Sequence, residues 1–145
     1  MAIVDRMELD GIFMDLYGTL TDGDRIAVET VCADVVAMTG VSMSAHDLSI
    51  AWGKHFFNAI EAANGDGFLT LFDLEIKTLH EIMATYGVDI DPLPHVEKLA
   101  SYWRKPPLHI EVRDALARVK YPVCIVSNAD QIDAQSALAT HNIEV

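Results

Sequence analysis

Two short apolar runs near the ends of the chain constrain its fold more than any other feature. The first covers residues 12–14 and stops at Asp15, and the second covers residues 123–126 and stops at Ser127. Continuous apolar runs that end abruptly at polar residues are typical of parallel strands buried on both faces. The residues between them repeat with helical periodicity, so the order strand, long helical segment, strand, helix predicts an α/β fold.

Composition limits the classes of partner. The chain has 145 residues, of which 51% are hydrophobic, and this is enough for one packed domain with a sizeable core. A formal net charge of −12 repels the nucleic acid backbone and anionic lipid, so neither is an expected partner. A small anionic substrate remains compatible with this charge because the potential of a site is set locally.

The cellular location is predicted from three features. No apolar run reaches the length that spans a bilayer, and the segment Met1–Asp10 lacks the pattern of a signal peptide. Cys32 and Cys124 both lie in apolar stretches, which predicts buried, reduced thiols and no disulfide. A cytoplasmic protein is therefore expected.

Polar residues at regular positions predict where the helices begin. Capping boxes start at Ser44 and at Thr70, and the Asn-Gly-Asp-Gly segment at 64–67 separates the two helices. Asp130 and Asp133 fit the cap and the first turn of the last helix, where acidic residues favour the positive end of the helix dipole.

The chemistry is expected where the two strands end. Because the carboxyl ends of parallel strands meet at one edge of a sheet, Asp15 and Ser127 are predicted to lie close together. A carboxylate there can act as a nucleophile on phosphorus or on saturated carbon. Gly18 and Thr19 follow in a tight turn, whose N–H groups can hold an anion. The residues alone also allow a structural interpretation, in which Asp15 caps the next helix and Ser127 only ends a strand.

The two strand ends resemble a known pair of signatures. Residues 13–22, FMDLYGTLTD, resemble the first signature of the haloacid dehalogenase superfamily, and residues 123–130, VCIVSNAD, resemble the second. A separation filled by helices is similar to members whose cap domain is inserted directly after the first motif.

The resemblance implies a domain organisation. The core is a Rossmann-like parallel sheet, incomplete in this chain, with strands near 9–15 and 122–127. It comprises residues 1–22 and 106–145, and the inserted helical cap covers residues 23–105.

The resemblance also assigns roles to individual residues. Asp15 matches the nucleophile that forms a covalent aspartyl ester, and Thr19 matches the threonine that steadies the nucleophile loop. Ser127 matches the hydroxyl that binds an oxygen of the substrate's phosphate or carboxylate, where a donor can stabilise charge. The residues expected to contact the substrate are Leu16, Tyr17 and Asn128.

Tyr17 departs from the phosphatases of this superfamily, which usually carry an aspartate as general acid at this position. A tyrosine with an ordinary pKa near 10 is a poor substitute. The pattern instead resembles the 2-haloacid dehalogenase branch, whose halide leaving group needs no proton. A purely structural role for Tyr17, packed under the cap, is the alternative.

The cap departs from that branch in turn. In 2-haloacid dehalogenases an arginine directly after a cap tryptophan helps to receive the halide, but Gly53 follows Trp52 here. Lys54 lies one residue further, about 100° around a helix, and is expected to be solvated.

Three functions follow as hypotheses. The first is a metal-free, 2-haloacid dehalogenase-like hydrolase of a small anionic substrate, and the second is a Mg²⁺-dependent phosphatase in which Asp15 is also a metal ligand. The lysine of the third motif and the acidic pair of the fourth are not found after the second motif. We therefore expect either a fragment of a longer enzyme or a second chain, such as a homodimer partner, that completes the sheet. The third hypothesis is accordingly a catalytically incomplete chain that acts as a binding or assembly module.

Overall fold

The computed structural model describes residues 9–144, so residues 1–8, which bear on the signal-peptide prediction, lie outside the described part. Along the chain the elements are β1 (Ile12–Met14), α1 (Asp24–Thr39), α2 (Ala45–Ala62), a 3₁₀ turn (Gly65–Gly67), α3 (Leu71–Thr85), α4 (Leu93–Trp103), α5 (Val112–Arg118), β2 (Val123–Ile125) and α6 (Gln131–His141).

The sheet confirms the predicted α/β class. Strands β1 and β2 are parallel, with Met14 opposite Ile125, and both are shorter than the spans predicted near 9–15 and 122–127. Met14 and Ile125 face a core of apolar residues from the loop after β1 and from α5 and α6. The buried members of this lower core are Leu16, Leu20, Val112 and Ala137.

The opposite face of the sheet contradicts the prediction that the strands are covered on both faces. Within residues 9–144 the side chain of Phe13 is 79% exposed, and Cys124, its partner in the register, is also exposed. Strand side chains alternate between the two faces, and the described helices α5 and α6 cover only one of them. The prediction of a buried thiol is therefore wrong for Cys124 and confirmed for Cys32, whose pKa burial raises to about 12.

Helices α1 to α4 surround a second apolar core, the upper core. Its fully buried members include Val35, Leu48 and Leu79, and burial of such side chains is the main force that holds a helical layer together. Ser44 and Thr70 are confirmed as the N-caps of α2 and α3, because Ser44 Oγ and Thr70 Oγ1 accept the third following backbone N–H, at 3.0 and 3.1 Å. The aspartates of the two predicted capping boxes accept the cap hydroxyls. No helix within the described residues is long and apolar enough to cross a bilayer.

Two neighbouring segments connect the upper and lower cores. Thr21 and Leu108 form an antiparallel bridge, and the N–H of Asp22 donates to the carbonyl of Pro107 at 2.9 Å. The upper core draws its buried residues from 31–99 and the lower core from segments on either side of it. The domain boundaries at residues 22 and 106 stay a prediction, with which this division agrees.

Candidate active site

Asp15 lies at the carboxyl end of β1, on a tight turn. The N–H groups of Leu20 and Thr21 both donate to the carbonyl of Leu16, at 2.9 and 3.1 Å. Gly18 has φ +74°, a left-handed conformation that glycine adopts without steric cost. Thr19 Oγ1 donates to Asp15 Oδ2 at 3.3 Å, so a side chain of the turn orients the carboxylate, which remains exposed.

The end of β2 lies beside it. The N–H of Val126 donates to the carbonyl of Met14 at 2.8 Å and holds the two strand ends together. The next residue, Ser127, has a half-buried side chain whose Oγ accepts the N–H of Ala129 at 3.3 Å. Asp15, Ser127 and the exposed Asn128 line one cleft of about 730 Å³. The arrangement brings a carboxylate and a hydroxyl to the same opening.

Helices α2, α3 and α4 supply an apolar wall to this cleft. The wall comprises aromatic and aliphatic side chains of α2 and α3 and of the end of α4: Phe56, Phe57, Ile60, Leu71, Phe72 and Trp103. A wall of this kind excludes water and strengthens electrostatic interactions within the site.

Tyr17 lies between the loop after β1 and the end of α4. Its hydroxyl donates to the carbonyl of Trp103 at 2.6 Å, and the two rings meet edge to face with centroids 5.3 Å apart. Burial raises the pKa of Tyr17 above its ordinary value, and the negative charges of Asp133 and Asp24 add to the rise. The phenol therefore keeps its proton and donates a hydrogen bond to a backbone carbonyl.

Leu16 occupies a different environment from the other predicted site residues. Its side chain is only 1% exposed and packs in the lower core. A contact between Leu16 and a substrate would thus have to come from its backbone.

Glu75 is a residue of the cleft that the sequence analysis did not single out. It lies on α3, is 7% exposed, and its Oε1 accepts the indole N–H of Trp103 at 2.9 Å. Burial raises the pKa of Glu75 to about 8; the hydrogen bond from Trp103 opposes the rise, and the charges of Asp133 and Asp130 reinforce it. Its position in the sequence could have indicated a buried carboxyl group, because Glu75 falls three residues after Phe72 on the apolar face of α3.

Two aspartates near the start of α6 connect core and cap. Asp130 is in the N-cap position of α6, as predicted, but its side chain makes no capping bond there. Its two carboxylate oxygens instead accept the N–H groups of Leu71 and Phe72, both at 2.9 Å, at the start of α3. Asp133 is 6% exposed and pairs with Arg104 Nε at 2.8 Å, just after α4.

The acidic and basic side chains that line the cleft all carry carboxyl groups, apart from the phenol of Tyr17. The carboxyl groups are those of Asp15, Asp24, Glu61, Glu75, Asp130 and Asp133, and the lining includes no lysine, arginine or histidine among the described residues. The side chain of Lys54 is exposed on α2. The described residues hold no group of three His, Cys, Asp or Glu side chains placed to bind a metal ion.

Comparison with known proteins identifies the family. The profile of the haloacid dehalogenase-like hydrolases matches residues 9–144. A comparison with curated proteins finds no match.

Solved structures share the fold. An L-2-haloacid dehalogenase from Xanthobacter autotrophicus with chloropropionic acid covalently bound is 17% identical, with a TM-score of 0.67, over 94% of this chain and 53% of its own. A defluorinating L-2-haloacid dehalogenase is 19% identical, with a TM-score of 0.71, over 93% and 57%. A HAD-hydrolase from Bacillus subtilis bound to magnesium is 14% identical, with a TM-score of 0.66, over 92% and 60%.

These structures are longer than the chain described here, which spans between 53% and 60% of the three. At such identities they show a common fold, and the match of the family profile covers nearly the whole chain. The chain therefore belongs to the haloacid dehalogenase-like hydrolases.

Proposed function

We propose that the protein is a hydrolase of small 2-haloacids and that Asp15 is its nucleophile. An oxygen of the Asp15 carboxylate forms an ester bond to the carbon that bears the halogen, and the carbon–halogen bond breaks with its electron pair leaving on the halide. Water then cleaves the ester, which regenerates Asp15 and releases the hydroxyacid and a proton. Thr19 orients the nucleophile, and the Ser127 hydroxyl donates to the substrate's carboxylate.

One observation carries the choice of leaving group. The Tyr17 hydroxyl, two residues after the nucleophile, is bound to the carbonyl of Trp103 at 2.6 Å and is held in its neutral form by burial. A phenol in this state is a poor proton donor to an alkoxide. A halide leaves without a proton, so the arrangement of Tyr17 favours a carbon–halogen bond as the one that breaks.

Local partners offset part of the negative potential that the carboxylates create in the cleft. Arg104 neutralises Asp133, and the start of α3 offers its N–H groups and positive dipole end to Asp130. An anionic substrate still needs a cation, and the resemblance implies a lysine that follows the second motif. The proposal therefore requires such a lysine in the active enzyme.

A Mg²⁺-dependent phosphatase is the second candidate, favoured by two observations. Gly53 stands where the dehalogenases carry a halide-binding arginine, and the charged lining of the cleft is wholly acidic. A cation bound at Asp15 would offset this negative potential and would neutralise a phosphate. A cytoplasmic location and a second chain that completes the sheet stay predictions.

The test compares two substrates with the protein produced from its complete reading frame. The proposal predicts halide release from 2-chloropropionate in the presence of EDTA, whereas the phosphatase predicts phosphate release from p-nitrophenyl phosphate only when Mg²⁺ is added. Asp15→Asn should lower either activity by at least about 10³-fold while circular dichroism shows an intact fold. Turnover that survives in Asp15→Asn would refute the nucleophile assignment, and a folded protein without either activity would favour a binding or assembly module.

A further inference from the structure

The cap contributes one polar side chain to the cleft that the proposed reaction does not yet use. Glu75 is 7% exposed, and the hydrogen bond from the indole N–H of Trp103 at 2.9 Å fixes its Oε1. Its Oε2 has no hydrogen-bond partner among residues 9–144 and is not an enclosed orphan, because every fully buried side-chain oxygen described has a partner. This second oxygen is therefore accessible, and Glu75 lines both the cleft that contains Asp15 and a neighbouring cavity between α1, α2 and α4.

Trp103 connects Glu75 to the loop that carries Asp15. The carbonyl of Trp103 accepts the hydroxyl of Tyr17 at 2.6 Å, and its indole binds Glu75. Tyr17 is two residues from Asp15, so one tryptophan connects the nucleophile loop to the carboxyl group of the cap. Asp15 and Glu75 line the same cleft, Asp15 from the core and Glu75 from the cap.

Residues 23–105 contribute no lysine, arginine or histidine to the lining of this cleft, whereas Arg25 and Lys54 line the neighbouring cavity that Glu75 also lines. The core side of the cleft contributes Ser127 and Asn128. Gly53 has no side chain to offer, and Lys54 is exposed on α2. The indole N–H of Trp103 is already used by Glu75. Residues 23–105 contribute three carboxyl groups to the cleft, those of Asp24, Glu61 and Glu75, and Glu75 is the buried one.

We infer that Glu75, in its protonated form, is the hydrogen-bond donor of the cap to the departing halide, an inference that rests on the proposed dehalogenase function. The Oε1 atom accepts from Trp103, so the proton resides on Oε2. As the carbon–halogen bond breaks, the halide takes the bonding pair and accepts a hydrogen bond from Oε2–H. The proton stays on Glu75, and no other group is consumed.

The surroundings of Glu75 favour this protonation state from several elements. Asp130 and Asp133 contribute negative charge from the segment that begins α6, and Asp15 and Asp24 line the cleft from the loop after β1 and from α1. The neutral Tyr17 adds no charge. From residues 23–105, Glu61 of α2 lines the cleft and Arg104 after α4 is paired with Asp133. Two cations, Arg25 of α1 and Lys54 of α2, line the neighbouring cavity that Glu75 also lines, and they oppose the effect of the carboxylates.

A halide therefore has a specific effect on Glu75 that simple salt does not have. An anion bound to the protonated form stabilises that form and raises the pKa of Glu75. General screening of Asp130 and Asp133 weakens the repulsion that keeps the proton bound, and it lowers the same pKa. The two effects have opposite signs.

The first experiment observes this directly, without turnover. The chain has two tryptophans, and only the indole N–H of Trp103 touches Glu75. Its ¹H–¹⁵N resonance should titrate with a midpoint at about 8, and the titration should be absent in Glu75→Gln, which also assigns the signal. Sodium bromide at about 0.1 M should raise the midpoint, and sodium sulfate of equal ionic strength should not. A midpoint that bromide leaves unchanged or lowers would overturn the inference.

The second experiment uses halide release from 2-chloropropionate between about pH 6 and 10. We expect kcat/KM to fall about tenfold per pH unit above the midpoint, as the donor is lost. Glu75→Leu should lower kcat/KM by at least about tenfold, and Glu75→Gln should recover part of this loss and show no alkaline fall. Glu97→Gln, an exposed change on α4, is the matched control and should follow the wild type.

These outcomes distinguish a failure of the proposed dehalogenase function from a failure of the donor role of Glu75. Absence of halide release from the wild type refutes the proposed function, whatever the resonance of Trp103 shows. Release that is equally lost in Glu75→Gln and Glu75→Leu refutes the donor role alone, because a hydrogen bond from an amide would then not substitute for the carboxyl group.

Discussion

The carboxylate of Asp130, just before α6, accepts the backbone N–H of Phe72 at the start of α3 at 2.9 Å. Its other oxygen accepts the N–H of Leu71 at the same distance. A residue of the second motif thus caps a helix of the predicted cap domain, 58 positions away from Phe72 in the sequence. The two parts of the molecule are joined at the rim of the cleft.

Removing this carboxylate should destabilise the protein. We expect Asp130→Ala to lower the free energy of unfolding by about 1–3 kcal/mol, because two N–H groups at the positive end of α3 lose a charged acceptor. Urea unfolding followed by circular dichroism measures the change. Asp66→Ala, in the exposed turn before α3, is the control and should change stability by less than about 0.5 kcal/mol. Equal effects of the two variants would contradict the role of Asp130.

Replacing Tyr17 separates structure from chemistry. Tyr17→Phe removes the hydroxyl that donates to the carbonyl of Trp103 and should cost about 1 kcal/mol of stability, measured by thermal unfolding. Because the phenol is not the proton donor of the proposed reaction, kcat for 2-chloropropionate should stay within about threefold of the wild type. A loss of about 100-fold or more without unfolding would show that the hydroxyl takes part in the chemistry.

The buried carboxyl group of Glu75 should make stability depend on pH. Its pKa is about 8 in the folded chain against an ordinary 4.5, so the folded state holds the proton more tightly than the unfolded state. The stabilisation from this tighter proton binding is fully present below pH 4.5. It is lost as the pH rises from 4.5 to about 8, and the free energy of unfolding then falls by at most about 1.4 kcal/mol per pH unit. Glu75→Gln should remove this slope, so its stability relative to the wild type should improve between about pH 5 and 8.5. Denaturant unfolding at several pH values tests this, and an unchanged slope in Glu75→Gln would contradict it.

Gly53 offers a stabilising change inside α2. A Cβ added there meets no atom within 4 Å, and the helix interior favours alanine over glycine by about 1 kcal/mol. We expect Gly53→Ala to raise the melting temperature by several degrees, roughly as that free energy implies. Gly40 also has open space but adopts φ +66° at the end of α1, so Gly40→Ala should lower the melting temperature instead. If both variants changed the melting temperature in the same direction, the backbone conformation at each glycine would not be what determines the change in stability.

The sequence predicted those parts of the fold that local patterns specify. The two strands, the N-caps Ser44 and Thr70 and the break at 64–67 follow from neighbouring residues, and the structure contains all of them. The exposure of Phe13 could not be predicted in this way, since a run of apolar residues does not say which face is covered.

The site was predictable only in its core half. Asp15, Thr19 and Ser127 follow their strands directly, whereas Glu75 comes to the cleft through the packing of α3 against the end of α4. Asp130 was expected to cap its own helix and instead caps a distant one, because its partner depends on how the two parts of the chain meet. Long-range contacts of this kind leave no local pattern.

The bridge between Thr21 and Leu108 has a mechanical consequence. Since both connections between the upper and lower cores run side by side there, rotation of α1 to α4 about this short two-stranded ribbon needs few backbone bonds to change. Such a rotation would instead separate Asp130 from α3 and Arg104 from Asp133, and it would widen the space between Asp15 and Glu75. The free energy needed to admit a substrate would then be set by these polar contacts at the rim.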